Sequence, residues 1–242
     1  MAICKLYSTK PLAYQTSITI LANDSKVLAV TRIRSPMGSD AIDRAMMARC
    51  LKLAREGMAD GELPFGSVIS RNGVIVSESS NQTIRQMDQS RHAEIIAIAQ
   101  ARQLLGTNRL DDCTIYSIVE PCPMCAFCIR TARISRVVYA LGSPVMGGMS
   151  RWNILCDDTL ADRLPFLFRP APEVLTGVLA DDAQQAWSDW NPLVWRLMRL
   201  CNYFVVPEAA AIHAVAAHRL PIWRRLALRL STWWPQQLGP VD

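Results

Sequence analysis

Two short runs, His92-Ala93-Glu94 and Pro121-Cys122-Pro123-Met124-Cys125, limit what this chain can fold into more than anything else in it. Together they offer one imidazole, two thiols and one spare carboxylate. Three protein ligands with a fourth position left for water is the arrangement of a catalytic zinc site. A fold that satisfies it must bring the two runs to one point. The local sequence suits that demand. Pro123 fits the first position of a helix, where its missing N–H costs nothing. Cys122 then becomes the N-cap and Cys125 lies on the first turn, where the positive helix end favours thiolate. His92 and Glu94 open a second run, Ala93 to Leu105, rich in Ala, Ile and Leu and apolar on most faces, which reads as a buried helix. The expectation is two helix N-termini meeting at one zinc.

The chemistry needs these residue types. Two thiolates and one neutral imidazole leave a zinc site neutral overall, and a bound water there falls to a pKa of roughly 7. The resulting hydroxide can attack a carbon bearing an exocyclic amine in an aromatic N-heterocycle. The ring nitrogen and the leaving amine must each gain a proton, and Glu94 is placed to carry both. Other readings of the same residues stay open. Cys128 or Cys113 could close a structural site as fourth ligand, or the cysteines could be buried thiols. Cys122, Cys125 and Cys128 recur every three residues, and Cys128 reads as a small core residue on the helix. The other two histidines, His213 and His218, lie in the tail.

H-x-E followed by P-C-x-x-C is the signature of zinc deaminases. Other residues extend the match: Pro64-Phe65-Gly66-Ser67-Val68-Ile69, Asn81, Asp88, Glu120 before the cysteine motif, and Arg133-Ile134-Ser135-Arg136-Val137-Val138-Tyr139. From about Met37 to about Val178 the chain resembles the cytidine and deoxycytidylate deaminase superfamily. Within it, it looks most like bacterial guanine deaminases and tRNA adenosine deaminases. The resemblance implies that His92, Cys122 and Cys125 bind Zn2+ and that Glu94 shuttles protons. It implies that the Ala93 N–H and the Asn81 side chain hold a base and that Phe65 packs on its ring. Read without it, Asn81 is a turn residue and Phe65 a core ring. One departure matters. Guanine deaminases of this type carry base-reading carboxylates after the fourth core strand, and here that segment, Ser143 to Asn153, has no acid. Arg151 within it suggests an oxo group or anion on the substrate.

Composition narrows the classes. Eight cysteines beside a metal motif, with no secretion signal, read as reduced cytoplasmic thiols. No apolar run approaches the length of a membrane span. The net charge of +5 is unevenly spread: residues 1–36 hold +4, residues 201–242 hold +2, and residues 37–200 hold −1. A near-neutral catalytic segment weakens the case for a polyanionic substrate, because phosphate neutralisation supplies much of nucleic-acid affinity.

Along the chain, Met37-Gly38-Ser39-Asp40 reads as a natural start with a helix cap, followed by Ile42, Met46, Cys50, Leu53 and Ala54 at helical spacing. Asn72-Gly73 between apolar runs is a hairpin signal. Strands are expected at Thr114–Ile118, Arg136–Ala140 and Glu173–Val178, with a helix from Cys122 to Thr131. This pattern predicts an α/β fold, a three-layer α/β/α sandwich with a mixed central sheet, as in cytidine deaminases. Asp181 to Leu200 reads as a helix broken or kinked at Pro192. Its tryptophans are core, or Trp187 or Trp190 forms a lid over the site. Residues 1–36 are expected to be an N-terminal extension lacking fixed structure, residues 37–200 the deaminase domain, and residues 201–242 a basic amphipathic extension. The expected function is zinc-dependent hydrolytic deamination of a small-molecule nucleobase or nucleoside, a free purine such as guanine first, by a cytoplasmic homodimer. The rivals are a tRNA adenosine deaminase and a noncatalytic zinc-stabilised binding module.

Overall fold

The computed structural model describes residues 16–23, 26–33 and 39–207, with side chains from Asp40 onward. A two-stranded antiparallel hairpin, β1 (Thr16–Asn23) and β2 (Lys26–Ile33), comes first. The main body follows: α1 (Ser39–Ala59), β3 (Gly66–Arg71), β4 (Val74–Ser80), α2 (Ala93–Leu105), β5 (Cys113–Val119), α3 (Pro123–Thr131), β6 (Arg136–Leu141), α4 (Thr159–Arg163), β7 (Glu173–Thr176), α5 (Ala180–Trp190) and α6 (Pro192–Leu200).

The main sheet has the order β4-β3-β5-β6-β7. β3 pairs antiparallel with β4 and β5, while β5, β6 and β7 run parallel. The β3–β4 hairpin turns at Asn72 and Gly73, both with positive φ (53° and 74°), as the Asn-Gly pair demands. Helices cover both faces, so the three-layer mixed-sheet expectation holds. On one face α1 and α5 bury Met47, Cys50, Leu51 and Ala54 against Val68, Tyr116, Ile118 and Val138. On the other, α2 and α3 bury Ala97, Ala101, Ala126 and Ile129 against Ile69, Ile115, Val137 and Tyr139. Each fully buried Ile or Val side chain contributes about 1.5–3 kcal/mol. β5 is central and covered on both faces, so it reads as a nearly continuous apolar run. Thr114 and Ser117 are the polar exceptions.

Asp43 of α1 is tied into the sheet by a bidentate pair with Arg136 of β6 (2.6 and 2.9 Å) and accepts from the Tyr116 hydroxyl (2.9 Å). At the C-terminal end the expected break at Pro192 occurs. Asn191 ends α5 and caps α6, its side chain accepting from the Val194 N–H at 3.0 Å, with Pro192 in the first turn.

Two expectations change. The domain does not stop at Leu200, because Val205 exchanges backbone hydrogen bonds with Gly142 (2.8 and 2.9 Å) at the end of β6, and Phe204 packs on Trp187 and Trp195. Trp187 is not a lid. It is 1% exposed at the centre of an aromatic cluster with Phe65, Trp190, Trp195 and Phe204, on the α1/α5 face. A period-3.6 pattern does not say which sheet face a helix covers, and α5 covers the face away from α2 and α3. The rest of residues 1–36, and the amphipathic stretch around Ile222 to Trp233, lie outside the described residues.

Candidate metal centre and active site

β5 ends at Val119 and the chain passes through Glu120 and Pro121 into α3, with Cys122 as extended N-cap (φ −65°, ψ 170°) and Pro123 in the first turn. α2 begins beside it, with His92 as its extended N-cap (φ −66°, ψ 145°). Neither cap residue spends its side chain on its own helix, so both are free to face each other. Nδ1 of His92 lies 3.6 Å from the Cys122 sulfur and 3.4 Å from the Cys125 sulfur. One ligand atom from each of the three residues falls within 4.8 Å of the other two.

The geometry fits zinc. With Zn–N of about 2.0–2.1 Å, Zn–S of about 2.3 Å and tetrahedral angles, nitrogen and sulfur ligands sit roughly 3.6 Å apart. The three groups are also electrostatically coupled. A hydrogen bond from the Cys125 thiol, helped by His92, holds the Cys122 thiol down to about 4. The same S–H···S hydrogen bond, with burial, pushes Cys125 up. The hydrogen bond to Cys122 raises His92. Cys128 and Cys113 are not in the ligand group formed by the described residues. Cys128 packs on the α2/α3 core and Cys113 lies buried at the start of β5. The reading of Cys128 as a core residue holds.

Glu94 sits in the first turn of α2 and is 5% exposed. Burial raises its pKa. Oε1 accepts a hydrogen bond from the Ser117 hydroxyl at 2.9 Å. Ala93 is the first residue of α2, so its N–H has no intrahelical carbonyl to bond. Asn81 follows β4 and is buried, with its Nδ2 donating to Thr83 Oγ1 (2.7 Å) and Glu62 Oε2 (3.2 Å). Its amide oxygen therefore remains for another donor. Phe65 is half-buried and its ring meets Trp187 edge-on at 5.1 Å. Arg151 is exposed, its guanidinium 5.4 Å from the centre of the Trp152 ring.

The roles of three residues here were not anticipated. Glu62, fully buried, accepts from the Ile84 and Arg85 N–H groups (3.3 and 2.7 Å) as well as from Asn81, so it shapes the segment that carries Asn81. Glu120 accepts from the Ser143, Met149 and Ser150 N–H groups and the Ser150 hydroxyl, all at 2.7–2.9 Å. It thereby folds the acid-free segment back onto the cysteine motif. Gly148 completes that dock by donating its N–H to the Pro121 carbonyl at 2.8 Å. A Cβ at Gly148 would fall 2.3 Å from Ala126 Cβ and one at Gly147 would fall 2.1 Å from the Glu120 carboxylate, so the approach requires glycine at both. Ser117 is the third. The signal for it was the alternation of β5, which puts residue 117 on the same face as Ile115, toward α2.

Known proteins match the same stretch. Residues 40–141 match the family model of the cytidine and deoxycytidylate deaminase zinc-binding region. The tRNA-specific adenosine deaminase of Aquifex aeolicus is 34% identical over 124 residues, which is 51% of this chain and 82% of that protein. The guanine deaminase of Bacillus subtilis is 43% identical over 95 residues, 39% of this chain and 61% of that protein. Among solved structures, a tRNA:A34 deaminase superposes with a TM-score of 0.53 at 31% identity, covering 59% of this chain and 98% of that one. Guanine deaminase from Nitrosomonas europaea superposes with a TM-score of 0.51 at 21% identity over 73% of this chain and 88% of that one, a likeness of fold. With its three ligands and buried carboxylate built by the matched residues, the chain belongs to the cytidine and deoxycytidylate deaminase family and is a zinc-dependent hydrolytic deaminase.

Proposed function

We propose that this deaminase removes an exocyclic amine from a purine taken as a free base or nucleoside, with guanine the first candidate, releasing ammonia. The observation that carries the chemistry is the convergence of His92 Nδ1 and two cysteine sulfurs beside a buried carboxylate two residues along the same helix. His92, Cys122 and Cys125 would hold a zinc ion, which would supply hydroxide from water near neutral pH. Glu94 accepts the first water proton on a carboxylate oxygen and delivers it to the ring nitrogen beside the reacting carbon, then takes the second proton from the newly added hydroxyl and passes it to the leaving amine as the C–N bond breaks. Burial raises its pKa, which favours the proton-carrying form. Water and aminopurine thus become oxopurine and ammonia. The Ala93 N–H and the Asn81 amide oxygen hold the base, the former meeting an acceptor on it and the latter an N–H. Phe65 packs on the ring of the base, and Arg151 meets an oxo group or anion on the substrate.

Charge supports a small substrate. Arg85 and Arg91, on the segment leading into His92, are paired with Asp60 (3.0 Å) and Asp88 (3.2 Å), which offsets their positive charge locally. Adenosine in tRNA is the second reading. It is favoured by relatives such as the Aquifex aeolicus protein, over four fifths of whose length this chain matches. Ammonia release from guanine, adenine, cytosine, their nucleosides and a tRNA anticodon arm separates the two. The expected result is turnover of a free purine that changes little with salt. If every base and nucleoside is inert while the anticodon arm yields inosine, the second reading replaces the first.

A further inference from the structure

We propose that Ser117 is a positioning residue for Glu94, fixing which carboxylate oxygen faces the reacting atoms; this rests on the reading of Glu94 as proton carrier. The hydroxyl is 2% exposed and stands on the central strand, with β3 paired on one side (Ser67 opposite) and β6 on the other (Tyr139 opposite). From there Ser117 Oγ donates to Glu94 Oε1 at 2.9 Å. Ser67, one strand over, turns its hydroxyl to the Tyr116 carbonyl instead, also at 2.9 Å. The bond from residue 117 is therefore directed and not a shared feature of the buried serines.

A glutamate side chain has three rotatable bonds, and Glu94 starts at a helix terminus, where the backbone constrains it least. Pinning Oε1 to the sheet leaves Oε2 for proton traffic and holds the carboxyl plane in one orientation. A hydroxyl donates to a carboxylate and accepts from a carboxylic acid, so the contact survives the arrival of the proton. Misplacement of a reacting group by about 1 Å can cost on the order of 10²-fold in rate. An unpolar strand residue at 117 would pack as well and would leave the carboxyl free to swing.

The test compares Ser117→Thr with Ser117→Val in the full-length, zinc-loaded protein. The two replacements have the same shape and differ only in the hydroxyl. Steady-state ammonia release from guanine, or from the panel compound that wild type turns over, gives kcat and KM, and zinc content is measured in parallel. Ser117→Val is expected to lower kcat about 10–100-fold, with KM within about twofold and zinc retained. Ser117→Thr is expected to recover most of kcat. Equal kcat in the two variants, or a Val variant whose loss is all in KM or zinc, overturns the proposal. If wild type is inert on the whole panel, the substrate reading has failed and crystal structures of the variants decide. A Glu94 carboxylate displaced with valine and restored with threonine supports the proposal, and one unmoved in both overturns it.

Discussion

At the scale of single residues, the site depends on a few atoms with no substitutes nearby. Replacing Glu94 by Ala removes the proton carrier but none of the three ligand atoms. Zinc content and fold are expected to persist while turnover falls at or beyond the upper end of about 10²–10⁴-fold. Near-normal ammonia release from that variant would remove Glu94 from the role. Cys128→Ala is the companion experiment. Its sulfur packs on the α2/α3 core and lies outside the ligand group, so about one zinc per chain should remain. Loss of zinc from a folded Cys128→Ala protein would make the site a closed one. The ligands and Glu94 were legible in the sequence because covalent spacing alone sets His92 and Glu94 on one helix turn and Cys122 and Cys125 on another. What Ser117, Glu62 and Glu120 do was not, although Glu120 itself stands in the motif. Their roles come from partners 23 or more, 19 or more and 23 or more positions away, and a lone serine or glutamate carries no spacing to mark it.

At the scale of elements, the segment Ser143 to Asn153 is set by Glu120 and not by its own sequence. One buried carboxylate takes four donors from it, and Gly148 anchors its middle to Pro121. Glu120→Ala strands three backbone N–H groups and a hydroxyl. A buried donor left without a partner costs about 1–3 kcal/mol, although opening of the segment to water will relieve part of that. The expected outcome is a Tm lowered by roughly 5–10 °C, with amide exchange at Ser143, Met149 and Ser150 accelerated more than in the β5 strand. Unchanged exchange at those three amides would show that the segment holds itself. α5 and α6 show the opposite case. The Asn191-Pro192 pair dictates a helix end and a new helix start locally, and the structure follows it.

At the scale of the molecule, the packing extends past the last helix. Val205 is bridged to Gly142, immediately before Ser143, whose N–H Glu120 accepts, so the C-terminal residues and the active-site loop share a strand end. A chain ending after Pro207 is expected to keep zinc and activity. One ending after Leu200 loses the Val205 bridge and the Phe204 packing on Trp187 and Trp195, and is expected to unfold at lower temperature. Equal melting temperatures for the two truncations would show that residues 201–207 add nothing. No helix among the described residues is long and apolar enough to cross a membrane.

The sequence by itself determined the elements and the metal. Helical and alternating periodicity, the Asn72-Gly73 turn, and Pro123 after Cys122 are local features, written in neighbouring residues and read with little knowledge of the rest. The tertiary structure decided which face each element covers and what the buried polar groups do. Trp187 could have been lid or core, and the choice was made by α5 docking on the α1 side of the sheet, away from α2 and α3. Asn81 bonds Thr83 within its own turn, and Glu62 from a separate segment takes a second bond from the same amide nitrogen. The physical reason is the same in both cases. A hydrophobic stripe or a polar side chain specifies that it must be covered or paired, but its partner is chosen only when segments far apart in the chain are packed together.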